Sequence, residues 1–466
     1  VETTRERKAP RFDRTIVDGP LPVAVWRIAW PTVLQNVFAG LQGLVDHVMV
    51  GHYVGFVGNA AIGVSWQIFL VVVVFVSSLF TGMGVLVARY AGAEEPEKVN
   101  RTVYQAFLTA VALALGVFAP LGYVLAPRLL ALANAAPPVQ AEALPYLRIL
   151  FLYSIGMLLV YMLGGALRAA GDARTPMRLG IALTLLNVVL NVVLIRGLGP
   201  IPAFGTKGAV LGSVLAAALV SAWALYLLFS HRLVVQFSRR MGLGPHWPTI
   251  AALFRFGLPA GFQGIAMNVG GVILIRYVGS LPASASAQAA YTVGYTQLFS
   301  FITWTSIALM AATATIAGQN LGAGKPERTR QAPRTALALG SSVALPVGLL
   351  FLLIPDRLLG IFGVADPTVL AIGQQLLGYL SVSGVFLLAA LVYTGALQGT
   401  GDTRGPFYIT LISQLALPLG ICAAVDAAGT LTAAHVWTAI LAGHVTRCVL
   451  SALRFRQGKW LEIEVV

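Results

Sequence analysis

Charge is scarce in this 466-residue sequence: only 10% of its side chains are Asp, Glu, Lys or Arg. Soluble domains carry roughly 25%. With 58% hydrophobic residues and a mean hydropathy of +0.82, a water-facing surface cannot be assembled from what remains. Lipid must cover the outside. Cysteine is nearly absent as well. Cys422 and Cys448 both fall in apolar runs, which excludes a disulfide framework. A nucleotide-binding loop is missing too. Gly324-Lys325 comes nearest, but Gln319 and Pro326 stand where such a loop needs Gly and then Ser or Thr. Neither a Ser/His pair nor a His-Glu-x-x-His zinc motif is present, so no enzyme is expected. Residues 1–20 are polar and basic, without the short apolar core of a cleavable leader.

What is abundant is the long apolar run. Bilayer thickness requires about 20 apolar residues per helical crossing. Such runs occur at 26–50, 67–87, 103–126, 147–167, 177–195 and 208–230, then at 256–278, 290–317, 335–354, 375–397, 406–425 and 432–452. The reading is an all-α polytopic membrane protein of twelve transmembrane helices. Its net charge of +14 is a topology signal rather than a nucleic-acid footprint, because the cations alternate between loops. One set holds Arg5, Arg7, Lys8, Arg11, Arg14, Lys98, Arg101, Arg168, Arg174, Arg178, Arg232, Arg239 and Arg240, and continues with Lys325, Arg328, Arg330, Arg334, Arg404, Arg454, Arg456 and Lys459. The opposite loops hold only Arg128, Arg196, Lys207 and Arg357. Both termini are therefore expected in the cytoplasm, with the chain in a plasma membrane, the inner membrane of a bacterium.

The chain is also duplicated. Gly165-Ala166-Leu167 and Gly171-Asp172-Ala173-Arg174-Thr175-Pro176 return 230 residues later as Gly395-Ala396-Leu397 and Gly401-Asp402-Thr403-Arg404-Gly405-Pro406. Gly92-Ala93, Pro96-Glu97 and Gln67 recur at the same offset as Gly322-Ala323, Pro326-Glu327 and Gln297. Six spans per half is an even number, so the two lobes should be related by a pseudo-two-fold along the membrane normal, with substrate between them. The expected organisation is a cytoplasmic tail over 1–20, an N-lobe over 21–230 and a cytoplasmic linker over 231–250. A C-lobe over 251–455 and a tail over 456–466 follow. In the Gly-Asp-x-Arg-x-Pro element, Gly ends one helix, Asp caps the next, and Pro sits in its first turn.

With no nucleotide motif, an ion gradient is the expected driving force, with no cofactor. That calls for an ionisable group within the membrane. Asp46 is the clear case, since a carboxylate at a helix centre costs about 2.5–3.5 kcal/mol and is retained for function or pairing. Gln35, Gln42 and Asp46 share one helical face, and on the fifth span Thr184, Asn187 and Asn191 share another. The Asn amides suit hydrogen bonds to a protonated Asp46, and their oxygens equally suit Na⁺, so H⁺ and Na⁺ both stay open as the coupling ion. His47 points about 100° away from Asp46, and His52 sits at the membrane edge; neither has metal-site spacing. Elsewhere Gln67, Gln263, Met267, Asn268, Tyr295, Gln297 and Trp304, with Gln35 and Gln42, suit a weakly polar cavity that stacks and hydrogen-bonds flat organic cations.

Pro31, Val45-Asp46-His47-Val48-Met49-Val50-Gly51-His52, the paired Gly-Asp-x-Arg-x-Pro elements and Asn187-Val188-Val189-Leu190-Asn191 together resemble the multidrug and toxic compound extrusion (MATE) transporters, over residues 20–455. The resemblance implies a V-shaped bundle of two six-helix lobes. It implies exchange of H⁺ or Na⁺ for drugs, organic cations or other small metabolites by a rocker-switch motion. It also implies that Asp46 is the coupling carboxylate, joined in the DinF-like branch by Tyr146, Asn187 and Asn191. That branch often has Asp where this chain has Asn191, so one formal charge is missing from a Na⁺ site. The NorM-like branch uses acids in spans seven and ten, which this chain lacks there. The DinF-like branch is therefore favoured, with protons ahead of Na⁺, and a monomer is expected. The alternatives are a lipid-linked oligosaccharide flippase of the same superfamily and a non-transporting membrane scaffold. Few cations lie in the spans to suit the first, and the second gives no reason for an intramembrane Asp facing two Asn.

Overall fold

The computed structural model describes residues 12–237 and 244–465. Arg5, Arg7, Lys8, Arg11, Arg239 and Arg240 of the cytoplasmic charge set, and parts of the predicted tail and linker, lie outside the described residues. Among the described residues the chain is helical throughout, with no strand. Ten helices are long and apolar enough to cross a bilayer, and the pair Pro137–Leu152 and Ile155–Ala169, bent by 52°, makes another crossing. The Leu21–Tyr53 helix, 33 residues long, covers the first predicted span and is less uniformly apolar because it carries Arg27, Gln35, Asn36, Gln42 and Asp46. At 1.5 Å per residue it runs about 50 Å. The fold is thus the expected all-α bundle of twelve spans, six to each half.

Packing divides the chain into two compact units, Trp30–Leu258 and Arg14–Ala29 with Pro259–Val465. The expected lobe limits followed the ends of apolar runs. The packing breaks instead fall inside the Leu21–Tyr53 and Trp247–Gly279 helices, beside Pro31 and Pro259. A proline there removes one backbone hydrogen bond and crowds the preceding turn, which makes it a natural place for a helix to change partners.

Within the first unit a core of Phe69, Tyr146, Leu147, Leu150, Phe151, Val210 and Val214 joins helices Phe56–Gly92, Pro137–Leu152 and Thr206–Phe229. Phe69 and Phe151 meet edge-on, 5.7 Å between centroids. Lipid offers no hydrophobic drive between helices, so close packing of small residues carries the association. Gly82 and Gly257 show this. A Cβ on Gly82 would lie 2.2 Å from the Leu253 carbonyl oxygen, and one on Gly257 would lie 2.5 Å from that of Ser78.

The second unit uses the same device. Gly395 and Gly399, one turn apart, press against the backbone of Met310 and Ala314, where a Cβ would come within 2.2 and 2.0 Å of a carbonyl oxygen. One end of it is closed by chain segments folded back on it. Trp460 stacks on Phe455 at 5.2 Å and donates its indole N–H to the Phe455 carbonyl. The Thr15–Asp18 turn is held by Asn320 Nδ2 donating to the Ile16 carbonyl, Arg328 donating to that of Gly19, and Lys325 paired with Asp18 at 2.5 Å.

Both duplicated loops form as the residues require. Gly171 and Gly401 adopt φ of 98° and 100°, the left-handed region that ends a helix. Asp172 Oδ1 then accepts from the backbone N–H groups of Arg174 and Thr175, while Asp402 Oδ1 accepts from that of Gly405. The second copy adds an ion pair, Arg454 Nε to Asp402 Oδ2 at 2.7 Å.

Candidate cation site and its surroundings

Three helices of the first unit supply the polar cluster around Asp46. Asn187 and Asn191 lie one turn apart on Arg174–Arg196 and are wholly buried. Asn191 Nδ2 donates to Asp46 Oδ1 at 2.6 Å. In the orientation that satisfies both ends of its amide, Asn187 Nδ2 donates to the same oxygen at 3.0 Å. Its Oδ1 accepts from the backbone N–H and the hydroxyl of Ser213 on the Thr206–Phe229 helix. Gly212 makes this approach possible, since Asn191 Oδ1 occupies the space beside its Cα. Ser213 and Gly212 carried no sequence signal of their own: a single serine and a single glycine on an apolar helix read as packing.

Two amide donors therefore compensate the Asp46 carboxylate, and among the described residues it makes no salt bridge. Hydrogen bonds to a charged group are worth about 1.5–3 kcal/mol each, enough to favour the ionised carboxylate at a half-buried position. Asn191 Oδ1, turned toward Gly212, is buried with no protein donor. Tyr146 packs in the hydrophobic core of the same unit. Thr184 joins through an intermediary: its hydroxyl donates to Gln42 Oε1 at 3.3 Å rather than to Asp46. His47 is turned aside to Asn59, and His52 lies edge-on to Tyr53. No group of three His, Cys, Asp or Glu suited to a metal occurs among the described residues.

Gln35 meets a partner that sequence reasoning assigned elsewhere. Arg168, counted above among the cytoplasmic loop cations, sits in the last turn of Ile155–Ala169 and donates to Gln35 Oε1 at 3.1 Å. A period-four charge beside a loop looks cytoplasmic in sequence, and only packing shows it turned inward. The second unit repeats the arrangement with different chemistry. Gln263 follows Pro259 by four residues, as Gln35 follows Pro31, and is buried. Its Oε1 accepts from Gln398 at 3.1 Å, and its Nε2 donates to Thr410 at 3.0 Å. Gln398 occupies the position of Arg168, 230 residues on. An alignment of the two first helices at their prolines, two residues off the main repeat, would have revealed the pair.

The remaining cavity candidates differ in exposure. Gln67, Met267, Asn268, Gln297 and Trp304 are exposed, and Asn268 Nδ2 bonds back to the Gly264 carbonyl of its own helix. Tyr295 is half-buried in the π-helical segment Thr292–Leu298. No periodicity signals such a widened turn, although these turns are frequent at functional positions.

A family model, MatE, matches residues 31–193 and again 259–422, beginning in each half at the proline described above. The chain is 27% identical over 440 residues to a probable multidrug resistance protein NorM of Thermotoga maritima, covering 93% of this chain and 92% of the relative. It is 28% identical over 435 residues to a probable multidrug resistance protein NorM of Deinococcus radiodurans, covering 90% and 92%. Among solved structures, a MOP superfamily transporter from Pyrococcus furiosus superposes with a TM-score of 0.88 at 20% identity, over 98% of this chain and 100% of that one. A multidrug resistance MATE family transporter in an outward-facing conformation gives the same TM-score, identity and coverage.

Proposed function

The chain belongs to the MatE family, and on that footing we propose that it is a secondary antiporter exporting drugs, organic cations or other small metabolites in exchange for H⁺. It is a multi-pass membrane transporter of small molecules, not an enzyme. Our reading adds the coupling ion, H⁺ before Na⁺, a DinF-like N-lobe mechanism, alternating access by a rocker-switch motion and action as a monomer. It also adds an inner-membrane location with both termini in the cytoplasm and no cofactor.

One observation carries the proposal: the half-buried Asp46 carboxylate is held by the amide groups of Asn187 and Asn191 and, among the described residues, has no cationic partner. Such a carboxyl has two satisfied states. Ionised, it accepts from the two amide N–H groups. Protonated, it can donate to Asn191 Oδ1, the acceptor that no protein donor fills, once that amide turns its oxygen from Gly212 toward the carboxyl. Na⁺ would be held by the same Asp46 carboxylate and the Asn187 and Asn191 oxygens, with a single formal charge to balance its own. One charge suits a proton better than a tightly held metal ion, which supports H⁺.

The test is export of a cationic dye from vesicles under an imposed pH gradient, repeated under a Na⁺ gradient. Asp46→Asn keeps the shape and the amide contacts but cannot take up a proton. We expect gradient-driven export to fall to background while the variant still inserts and purifies as a folded protein. Wild-type rates in the variant would remove Asp46 from the coupling.

A further inference from the structure

The second unit contains a buried cation that the exchange reading does not use. Arg447 lies within the span formed by Ala433–Arg456 and is 1% exposed. Its Nη1 reaches only the Met267 sulfur, at 3.8 Å, and its Nε is buried with no acceptor. Among the described residues it forms no ion pair and sits over no aromatic face. No Asp or Glu occurs on Ala433–Arg456, Trp247–Gly279, Ser284–Tyr291, Thr292–Leu298 or Pro367–Thr400. A guanidinium keeps its proton, and a charge out of water without a counter-charge is expensive to maintain. Intramembrane ionisable groups of this kind mark sites of binding or transfer.

The surroundings are built for the same purpose. Trp437, His444 and Arg447 fall on one face of their helix, seven and three residues apart. Trp437 Nε1, like Arg447 Nε, is a buried donor with no acceptor. His444 Nδ1 is taken by the Ser383 hydroxyl at 2.5 Å, which fixes the ring and leaves Nε2 facing away from that contact. Tyr291 stacks on Trp437 at 6.1 Å and on Tyr295 at 5.0 Å, Tyr295 leans on Phe299 at 5.5 Å, and Phe299 stacks on His444 at 6.1 Å. The π-helical turn at Thr292–Leu298 holds Tyr295 in this ladder. Met267, at 39% exposure, forms the outer end. Unfilled donors, a fixed positive charge and flat apolar walls occur together, where the first unit has a carboxylate and an unfilled acceptor.

We infer that the second unit carries an anion site centred on Arg447, which takes the carboxylate of an aromatic organic acid or a chloride ion. The inference rests on the export reading and deepens it: the transported solutes include acids, or an anion accompanies them. Guanidinium pairs well with a carboxylate through two parallel N–H donors, and the aromatic ladder offers a stacking surface for a ring attached to it.

Binding to the purified full-length protein, read by calorimetry in a low-salt zwitterionic buffer free of carboxylate and chloride and without any gradient, tests this apart from transport. Sodium benzoate, uncharged benzamide and sodium chloride are titrated separately. Saturable benzoate binding with none for benzamide, weakened at least tenfold in Arg447→Gln and less in Arg447→Lys, is the result expected for an organic acid. Saturable chloride binding that competes with benzoate and depends on Arg447 assigns the site to the inorganic ion. Wild-type protein that binds neither anion, or benzamide bound as well as benzoate, overturns the inference even if Arg447→Gln fails to fold. Because no gradient is applied, such a failure leaves the antiport reading standing. Loss of gradient-driven export in Asp46→Asn, conversely, leaves this binding unchanged.

Discussion

Asn191 Oδ1 lies so close over Gly212 that a Cβ built there would fall 2.0 Å from it. No side-chain adjustment accommodates that distance, because Asn191 is itself wholly buried and tied to Asp46. Gly212→Ala should therefore push the amide off the carboxylate. A lost hydrogen bond to a charged group is worth about 1.5–3 kcal/mol, or roughly 10- to 150-fold in an equilibrium. Gradient-driven export should fall by about tenfold or more. Gly63→Ala, whose Cβ meets nothing within 4 Å, should export normally in the same vesicles.

Asn191→Asp adds a second carboxylate beside Asp46, since Asn191 Nδ2 stands 2.6 Å from Asp46 Oδ1. Two like charges at that spacing repel unless a cation or a proton lies between them. We expect export by this variant to become steeply dependent on Na⁺ at neutral pH, with little Na⁺ dependence in the wild type. Rates measured against Na⁺ concentration at fixed pH decide it; identical curves for the two proteins would count against a cation site here.

The two duplicated loops should respond differently to loss of an arginine. Asp402 is 4% exposed and pairs with Arg454, whereas Asp172 is satisfied by backbone N–H groups and the Thr175 hydroxyl. Removing one member of a buried pair costs about 3–5 kcal/mol. Arg454 is 30% exposed, so screening reduces this to roughly 1–3 kcal/mol. Arg454→Ala should lower the thermal midpoint in detergent clearly, while Arg174→Ala should leave it within error.

A pH dependence is expected at the Thr15–Asp18 turn. The hydrogen bond from Lys325, followed by that from Arg14, holds the Asp18 carboxyl below its ordinary value of 3.8. A value depressed by folding stabilises the native state above the ordinary carboxylate range, and that contribution fades as pH falls through the lowered value. Asp18→Asn should thus melt earlier than wild type at pH 7, and the gap should close in acid below the ordinary carboxylate range. A constant gap across that range would mean that Asp18 acts through shape alone.

The fold was largely legible, because apolar run length and a repeat kept at one offset are signals that packing cannot override. The Asp46, Asn187 and Asn191 cluster was legible for the same reason: polar groups at helical spacing on apolar spans have nowhere to go but inward. Arg168 and Arg447 were not. Each sits within a turn or two of basic loop residues; the charge pattern absorbed Arg168 and passed over Arg447, and only the tertiary contacts single them out. The π-helical turn around Tyr295 and the bend between Leu152 and Ile155 likewise depend on which neighbours press on the helix. Gln67 and Gln297 recur at the repeat offset, and both are exposed.

One glutamine, used twice, ends beside a guanidinium at Gln35 and beside a carboxamide at Gln263. The two copies have ceased to be spare parts for one another. A tandem of the first half alone would still thread a bilayer twelve times, but it would duplicate Asp46 and Arg168 and lack the buried Arg447 with its aromatic walls. Division of labour, rather than symmetry, is what the second copy contributes.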